Sequence, residues 1–194
     1  ERIESHFFEA RKHVLEYDDV LNTQREHIYG WRRAFLLGED ARPDIEEGLK
    51  EVVRDAVNNS WVTDPQTGLN EFDDEVLFER LNDIFPMVDY VSLDDLEQHQ
   101  PGEPLIQHLE EVILKAYDDR RQLFGDAMPQ LERQIMLQAI NDRWMDHLQM
   151  IEYIREGIGL RAYGQVDPLV AYKRETYDLF NNTLKQIREL SVRF

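Results

Sequence analysis

The histidines and carboxylates of this sequence could perform chemistry, but their spacing argues against a catalytic centre. Helical bundles hold di-iron centres through Glu-x-x-His pairs, which place two ligands on one helix face. None of the six histidines has a glutamate three residues earlier, and no His-Glu-x-x-His zinc motif occurs. Adjacent acids such as Asp18 and Asp19 would point about 100° apart on a helix and would not converge. We therefore predict no catalytic residue, metal site or cofactor site within this chain.

Phosphate-binding loops are also missing from the sequence. A P-loop ends in Gly-Lys followed by Ser or Thr, and the pair Gly-Lys does not occur. Gly157-Ile158-Gly159 follows a predicted helix rather than a strand and lacks the third spaced glycine of a dinucleotide loop. We interpret it as a turn and expect no ATP-binding site in these residues.

Two polar residues, His147 and Tyr163, remain as candidates for a role in binding or packing. His147 occupies an apolar-seam position, which favours a hydrogen-bonded core or interface histidine over a base or metal ligand. Tyr163 lies between Arg161 and Gln165 in a turn rich in glycine. An exposed aromatic side chain at the end of a helical hairpin suggests contact with another chain, although Tyr163 could instead pack back on its own hairpin.

Composition narrows the possible functions. The 194 residues are 42% hydrophobic, which is ordinary for a folded domain, and the absence of cysteine excludes disulfides. The net charge is −18, and residues 39–128 carry 24 acidic and 7 basic residues. This charge argues against nucleic acid or an anionic lipid surface as the main ligand. No apolar run is long enough to span a bilayer.

Hydrophobic periodicity predicts a long first helix over residues 1–37. Apolar residues recur in alternating steps of four and three, with only Gln24 polar in the series. Such a heptad seam is typical of a helix that packs along its whole length. The seam positions are Ile3, Phe7, Ala10, Val14, Tyr17, Leu21, Gln24, Ile28, Trp31 and Phe35.

Shorter helices and a helical hairpin are predicted to follow. Residues 45–56, 72–85 and 106–124 have amphipathic patterns, and Ser92 begins a capping box before a brief helical turn. From Pro129 the long period returns up to Ile158, and Asp167-Pro168 supplies an N-cap and first-turn proline for a return helix. The sequence therefore predicts an all-α fold: a scaffold helix (1–42), an acidic helical insert (43–128, its boundary between 38 and 61) and a hairpin (129–194).

Two sequence blocks resemble the SecA preprotein translocases. EARKHVLEYDDVLNTQREHIY (9–29) resembles their scaffold helix, and ERQIMLQAINDRWMDHLQMIEYIREGIGLRAYGQVDPLVAYKRETYDLF (132–180) resembles their two-helix finger and adjoining scaffold. The resemblance implies that the acidic insert is the helical wing. It also implies a fragment of an ATP-driven motor, without the ATPase domains.

The resemblance assigns expected roles to particular residues. The finger-tip tyrosine would be Tyr163, with Arg161 and Gln165 beside it, and would contact the preprotein and the channel. The scaffold helix would contact the ATPase domains through residues within one set. That set is Arg11, Lys12, Glu16, Tyr17, Asp18, Asp19, Asn22, Gln24 and Arg25.

Partners and location are likewise implied by the resemblance. The partners would be the SecY channel, signal peptides, unfolded preproteins and the ATPase domains of the same parent chain, with peripheral membrane association through the channel and lipids. The parent would use ATP and Mg²⁺, with Zn²⁺ where a C-terminal zinc tail is present. It would lie in the cytoplasm and on the cytoplasmic face of the bacterial plasma membrane. The alternatives are a stand-alone helical adaptor or chaperone and, third, a di-metal bundle enzyme.

Overall fold

The computed structural model describes residues 2–63, 68–85, 87–158 and 167–193, with side chains from Leu15 onward except at Val88. Most of these residues are helical, as predicted. The α-helices are α1 (Arg2–Leu36), α2 (Arg42–Asn58), α3 (Asp74–Ile84), α4 (Leu93–Glu97), α5 (Glu103–Phe124), α6 (Met128–Gly157) and α7 (Pro168–Ser191). Short 3₁₀ helices occupy Met87–Asp89 and Gly125–Ala127. Among the described helices, none combines the length and apolar character of a membrane span.

A two-stranded hairpin contains the β-strands found among the described residues. Strands β1 (Trp61–Thr63) and β2 (Asn70–Phe72) are antiparallel, with Trp61 opposite Phe72 and their rings in edge contact at 5.2 Å. This pairing corrects the predicted start of the third helix at Phe72. That helix begins at Asp74, because Phe72 belongs to the strand and the Asp73 side chain caps the helix by accepting from the Val76 amide.

The described residues pack as two compact units. Unit 1 contains Glu1–Glu39 and Leu137–Ile187, and unit 2 contains Asp40–Met136 and Arg188–Phe194. Helix α1 and most of α6 and α7 therefore belong to unit 1. The packing changes at 39/40, which lies within the range of 38 to 61 given for the first predicted boundary, and at 136/137, beyond the second predicted boundary at 128/129. The last residues pack with unit 2.

Capping residues set the helix ends where the sequence placed them. The Ser92 side chain accepts from the Asp95 amide at the start of α4, and the Asp167 carboxylate accepts from the Leu169 amide at 2.8 Å at the start of α7. Such caps satisfy amides that have no partner inside the helix. Gly125 follows the end of α5 with a φ of 54°, a left-handed conformation that favours glycine.

The core of unit 2 forms where α2 packs against α5 and α3. The apolar stripe of α2 supplies Leu49, Val52 and Val53, each at most 5% exposed. Burial of such side chains stabilises the unit by about 1.5–3 kcal/mol per residue. The other elements of unit 2 supply further buried apolar side chains: Leu77, Leu81, Met87, Leu96, Leu105, Leu109, Ile113 and Ala116.

Glu132 places a buried carboxylate within unit 2. Glu132 of α6 has no solvent exposure, and its Oε1 accepts from the Tyr117 hydroxyl at 2.5 Å. Arg121 Nη1 lies 3.2 Å from the same oxygen. Burial, followed by the hydrogen bond and charge of Glu132, raises the pKa of Tyr117 well above its ordinary value. The phenol therefore stays protonated and donates to Glu132, while Arg121 supplies the balancing charge.

Gly48 allows α2 to approach the last turn of α7 closely. A Cβ at this position would lie 3.0 Å from the Arg188 carbonyl oxygen and 3.1 Å from Val192 Cγ1. The same carbonyl accepts from the Ser191 hydroxyl at 2.7 Å and from the Val192 amide at 3.3 Å, so it is held in place. The half-buried pair of Arg188 and Glu51, at 2.8 Å, lies at the same contact.

The substitution Gly48→Ala is expected to lower the free energy of unfolding by about 1–2 kcal/mol, because a well-packed contact must shift to admit the methyl group. Gly30→Ala is the matched control, since Gly30 lies inside α1 and its Cβ would meet nothing within 4 Å. There the better helix propensity of alanine should stabilise by about 0.5–1 kcal/mol. Urea unfolding of both variants measures the difference. Equal stabilisation by the two changes would contradict the close approach.

Candidate functional site: the two faces of the first helix

One face of α1 is buried against the rest of unit 1. Ile28, Phe35 and Gln24 are 1%, 4% and 6% exposed, and Tyr17, Leu21 and Trp31 are half-buried. The heptad seam predicted from the sequence is therefore confirmed over residues 17–35. The aromatic contacts continue along it, with Trp31 and Phe35 centroids 6.2 Å apart.

The other face of α1 carries four of the nine residues in the set predicted to contact the ATPase domains. Asp18, Asp19 and Asn22 are exposed, and Arg25 is half-buried. The Arg25 guanidinium donates to Asn22 Oδ1 at 2.8 Å, which links two positions on the same side of the helix. We name these four residues the α1 polar face. It combines both charge signs on a rigid helix, an arrangement suited to a polar protein contact.

Of the remaining predicted residues, Glu16 is half-buried, the Lys12 side chain lies outside the described residues, and the others are placed differently. The Tyr17 ring packs edge-on against Tyr172 of α7, with centroids 4.6 Å apart, so it contributes to internal packing. Burial, followed by the charges of Asp167 and Glu16, raises the pKa of Tyr17. Gln24 is buried in the seam, which removes it from the exposed set. The side chain of Arg11, and all of Arg161, Tyr163 and Gln165, lie outside the described residues.

A buried polar network joins α1, α6 and α7. The Gln24 side chain donates through Nε2 to the Thr176 carbonyl at 3.1 Å, and its Oε1 lies 2.9 Å from His147 Nε2. His147 Nδ1 lies 2.9 Å from Thr183 Oγ1. The imidazole ring also stacks on Trp144, with centroids 5.1 Å apart. All three helices of unit 1 are thus tied together by hydrogen bonds inside its core.

The donors and acceptors fix the tautomer of His147. Gln24 Oε1 can only accept, so His147 Nε2 carries the proton. Burial lowers the pKa of His147 to about 4, so the ring is neutral near pH 7 and its Nδ1 is an acceptor. The Thr183 hydroxyl has one proton, so it can donate to His147 Nδ1 or to the Leu179 carbonyl oxygen, which lies 2.9 Å from Thr183 Oγ1, but not to both. A protonated imidazole would satisfy all of these groups, but burial disfavours its charge.

This network confirms that His147 is a hydrogen-bonded core histidine. It is 2% exposed, and both ring nitrogens have partners within the protein. A base whose pKa lies near 4 would be poorly matched to neutral pH, and burial would keep a substrate away. The network therefore has a structural role, which is to set the register of the three helices.

A cluster of potential metal ligands lies in unit 2 and was missed by sequence reasoning. Asp95, His99 and His108 place one ligand atom each within 4.8 Å of the others. The search by motif looked for Glu-x-x-His pairs, whereas this cluster combines an Asp and a His four residues apart with a distant His. The Asp-x-x-x-His spacing within 95–99 was the available signal, because residues four apart share a helix face.

The chain is similar over its whole length to known proteins. The family "SecA Wing and Scaffold domain" matches residues 1–194. "Protein translocase subunit SecA" of Pelotomaculum thermopropionicum is 42% identical over 196 residues, and that of Carboxydothermus hydrogenoformans is 40% identical. "Protein translocase subunit SecA 1" of Clostridioides difficile is 36% identical over 194 residues.

These matches cover all of this chain but only 21–22% of each relative. The chain therefore spans about a fifth of the length of the curated relatives it matches. The match extends across both packing units and through the acidic middle region. The chain belongs to the SecA wing and scaffold domain family.

Proposed function

We propose that this chain is the scaffold, wing and finger portion of a translocase subunit that uses ATP to move preproteins through the SecY channel. The observation that carries the proposal is the family match over residues 1–194, together with 42% identity to a protein named as a translocase subunit. In this role the chain is a mechanical part. ATP and Mg²⁺ would be bound by other domains of the same subunit, which would work at the cytoplasmic face of the plasma membrane.

The α1 polar face supports a contact with the ATPase domains. Helix α1 is 35 residues long, and its apolar seam is anchored in unit 1 by residues such as Ile28 and Phe35. Asp18, Asp19 and Asn22 remain exposed on the opposite side. A partner that binds there would be coupled through a stiff helix to α6 and α7. Arg11 would extend the same contact toward the start of α1.

The segment that joins α6 to α7 carries the proposed contact with preprotein and channel. This segment contains Arg161, Tyr163 and Gln165. The two helices on either side of this segment are packed together in unit 1. There His147 Nδ1 of α6 lies 2.9 Å from Thr183 Oγ1 of α7. A movement imposed on α1 would therefore be passed to both helices through the buried network.

Replacing Tyr163 with alanine in a complete subunit is expected to reduce preprotein translocation about fivefold, equivalent to roughly 1 kcal/mol, while basal ATP hydrolysis is retained. The reason is that the side chain would act on the substrate, outside the ATPase site. Translocation into vesicles containing the channel and ATP hydrolysis without preprotein are the two measurements. Tyr177→Ala is the matched control, because Tyr177 is 64% exposed on α7 and has no proposed role.

The double change Asp18→Lys and Asp19→Lys gives the contrasting result in the same assays. Reversal of two charges on the α1 polar face should alter basal ATP hydrolysis and translocation together, because it would disturb the contact with the motor. Arg33→Glu, an exposed change near the other end of α1, is its control.

Equal loss of both activities in Tyr163→Ala, or normal translocation by it, would count against the proposed finger contact.

A further inference from the structure

Three polar side chains converge between α4 and α5 in unit 2. Asp95 belongs to α4, His99 follows that helix, and His108 lies in the second turn of α5. His108 Nε2 is 2.9 Å from Asp95 Oδ2, and His99 Nδ1 is 2.9 Å from the Asp95 carbonyl oxygen. The two imidazole rings are stacked, with centroids 3.9 Å apart and planes 14° apart.

The chemistry of these donors suits a borderline transition-metal ion. Imidazole nitrogens and a carboxylate oxygen are typical ligands of Zn²⁺, at about 2.0–2.2 Å. The Asp95 carbonyl can only accept a hydrogen bond, so His99 Nδ1 carries its proton and the neutral ring presents a free lone pair at Nε2. The three candidate ligand atoms already lie within 4.8 Å of one another. Binding would require the stacked rings to open and His108 Nε2, which now donates to Asp95 Oδ2, to release that proton to solvent so that the ion takes its place.

We propose that Asp95, His99 and His108 form a site for one divalent transition-metal ion of the Zn²⁺ class. Two histidines and one carboxylate would leave a fourth position for water or another ligand. The His108 and Asp95 side chains are 26% and 36% exposed, so an ion can reach them from solvent. This inference does not rest on the proposed translocase function.

The electrostatic surroundings favour a cation at this place. Helix α4 has the sequence Leu-Asp-Asp-Leu-Glu, so Asp94 and Glu97 add negative charge within a turn of Asp95. The surrounding region 39–128 has 24 acidic and 7 basic residues. A bound cation would also tie α4 and the residues after it to α5 by coordination, where hydrogen bonds and a ring stack now join them. Metal binding should therefore stabilise unit 2.

Titration of the metal-free 194-residue chain with Zn²⁺ tests the site. We expect one ion per chain, a rise of a few degrees in the melting temperature at saturation, and the visible absorption of tetrahedral Co²⁺ when that ion replaces Zn²⁺. The variants His99→Gln, His108→Gln and Asp95→Asn should each weaken Zn²⁺ binding roughly tenfold or more. Circular dichroism of each variant shows that the helices are retained.

The matched control is Asp94→Asn, which removes the same charge one residue away from the proposed ligand. It should change the affinity less than threefold, since it alters only the surrounding field. His27→Gln, an exposed histidine of unit 1, should have no effect. Zn²⁺ binding that is undetectable, or that is unchanged in His99→Gln and His108→Gln, would overturn the proposal and leave the cluster as a hydrogen-bonded histidine stack.

Discussion

Replacing Arg121 with methionine is expected to lower the free energy of unfolding by about 3–5 kcal/mol, because it leaves the carboxylate of Glu132 buried without a counter-charge. Glu132 is fully buried, and its Oε2 has no hydrogen-bond partner among the described residues. Its Oε1 depends on Tyr117 and Arg121. Methionine keeps much of the arginine stem volume, so the loss would come mainly from the charge.

A double-mutant cycle separates the charge from the packing. The combination of Arg121→Met with Glu132→Gln should recover much of the lost stability, since no buried charge then remains. Arg120→Met is the control on the same helix, because Arg120 is exposed and lies over the Phe85 ring, 4.7 Å from its centroid. Its cost should be about 1 kcal/mol or less. Urea unfolding of the native chain, the two single variants, the double variant and Arg120→Met gives these free energies. Equal costs for the two arginines would contradict the argument.

The contacts among Tyr117, Arg121 and Glu132 also show what the sequence alone does not predict. Glu132 looks like an ordinary charged residue near the start of a helix, and nothing in its spacing marks it as buried. Tyr117 and Arg121 of α5 reach it because the chain turns at Gly125–Ala127 before α6 begins. Periodicity reports which face of one helix is apolar, whereas a polar contact between helices depends on their packing.

The helices themselves could be predicted because their signals are local. The α1 seam, the caps at Ser92 and Asp167 and the stop at Gly125 each depend on side chains within a few residues. The β-hairpin was missed because its strands have only three residues each and its pairing of Trp61 with Phe72 spans a loop. Such short strands gain their order from the partner strand rather than from local preference.

The packing changes at 136/137 rather than at the predicted 128/129 for a related reason. Helix α6 runs without interruption from Met128 to Gly157, so no proline or glycine marks the point at 136/137 where its packing partners change. The apolar period of α7 likewise continues to its last turn, although Arg188 and Val192 pack beside Gly48 in unit 2. Proline and glycine in a sequence mark the ends of helices. They do not mark the point at which one long helix passes from one packing unit to another.

The candidate site was predictable in part. His147 was interpreted as a core histidine from its seam position, and its burial confirms this. Its partners Gln24 and Thr183 could not be derived, because they lie 123 and 36 residues away from it in the chain. Gln24 shows the same limit: a polar residue in an apolar seam could be a functional contact or a buried hydrogen-bonding group, and only the packing of α6 and α7 decides.

The buried network leads to a second large effect, on the pH dependence of stability. Burial lowers the pKa of His147 from its ordinary 6.5 to about 4. Above pH 6.5 the ring is neutral in both the folded and unfolded states, so it does not make the free energy of unfolding depend on pH. As pH falls from 6.5 toward 4, the unfolded chain gains a proton that the folded chain resists. Stability is therefore lost in this window, by about 3 kcal/mol at about 1.4 kcal/mol per pKa unit.

The variant His147→Gln removes this titration while retaining an amide that can hydrogen-bond. At pH 7 it should be less stable than the native chain by about 1–3 kcal/mol. The reason is that the smaller side chain loses the ring stack on Trp144 and leaves at least one hydrogen-bond partner of His147 unsatisfied. Between pH 7 and pH 4, however, its stability should fall by about 3 kcal/mol less than that of the native chain. The two curves should therefore converge as the pH is lowered.

Urea unfolding followed at several pH values measures both curves, with His27→Gln as the control. His27 is an exposed histidine of the same unit whose ring touches Phe180, at a centroid distance of 5.7 Å. The carboxylates that also titrate in this range are the same in all three proteins, so they cancel in the comparison. Parallel curves for His147→Gln and the native chain would mean that His147 binds its proton equally well in both states. The neutral tautomer assigned to the network, with Nδ1 as an acceptor, would then be wrong.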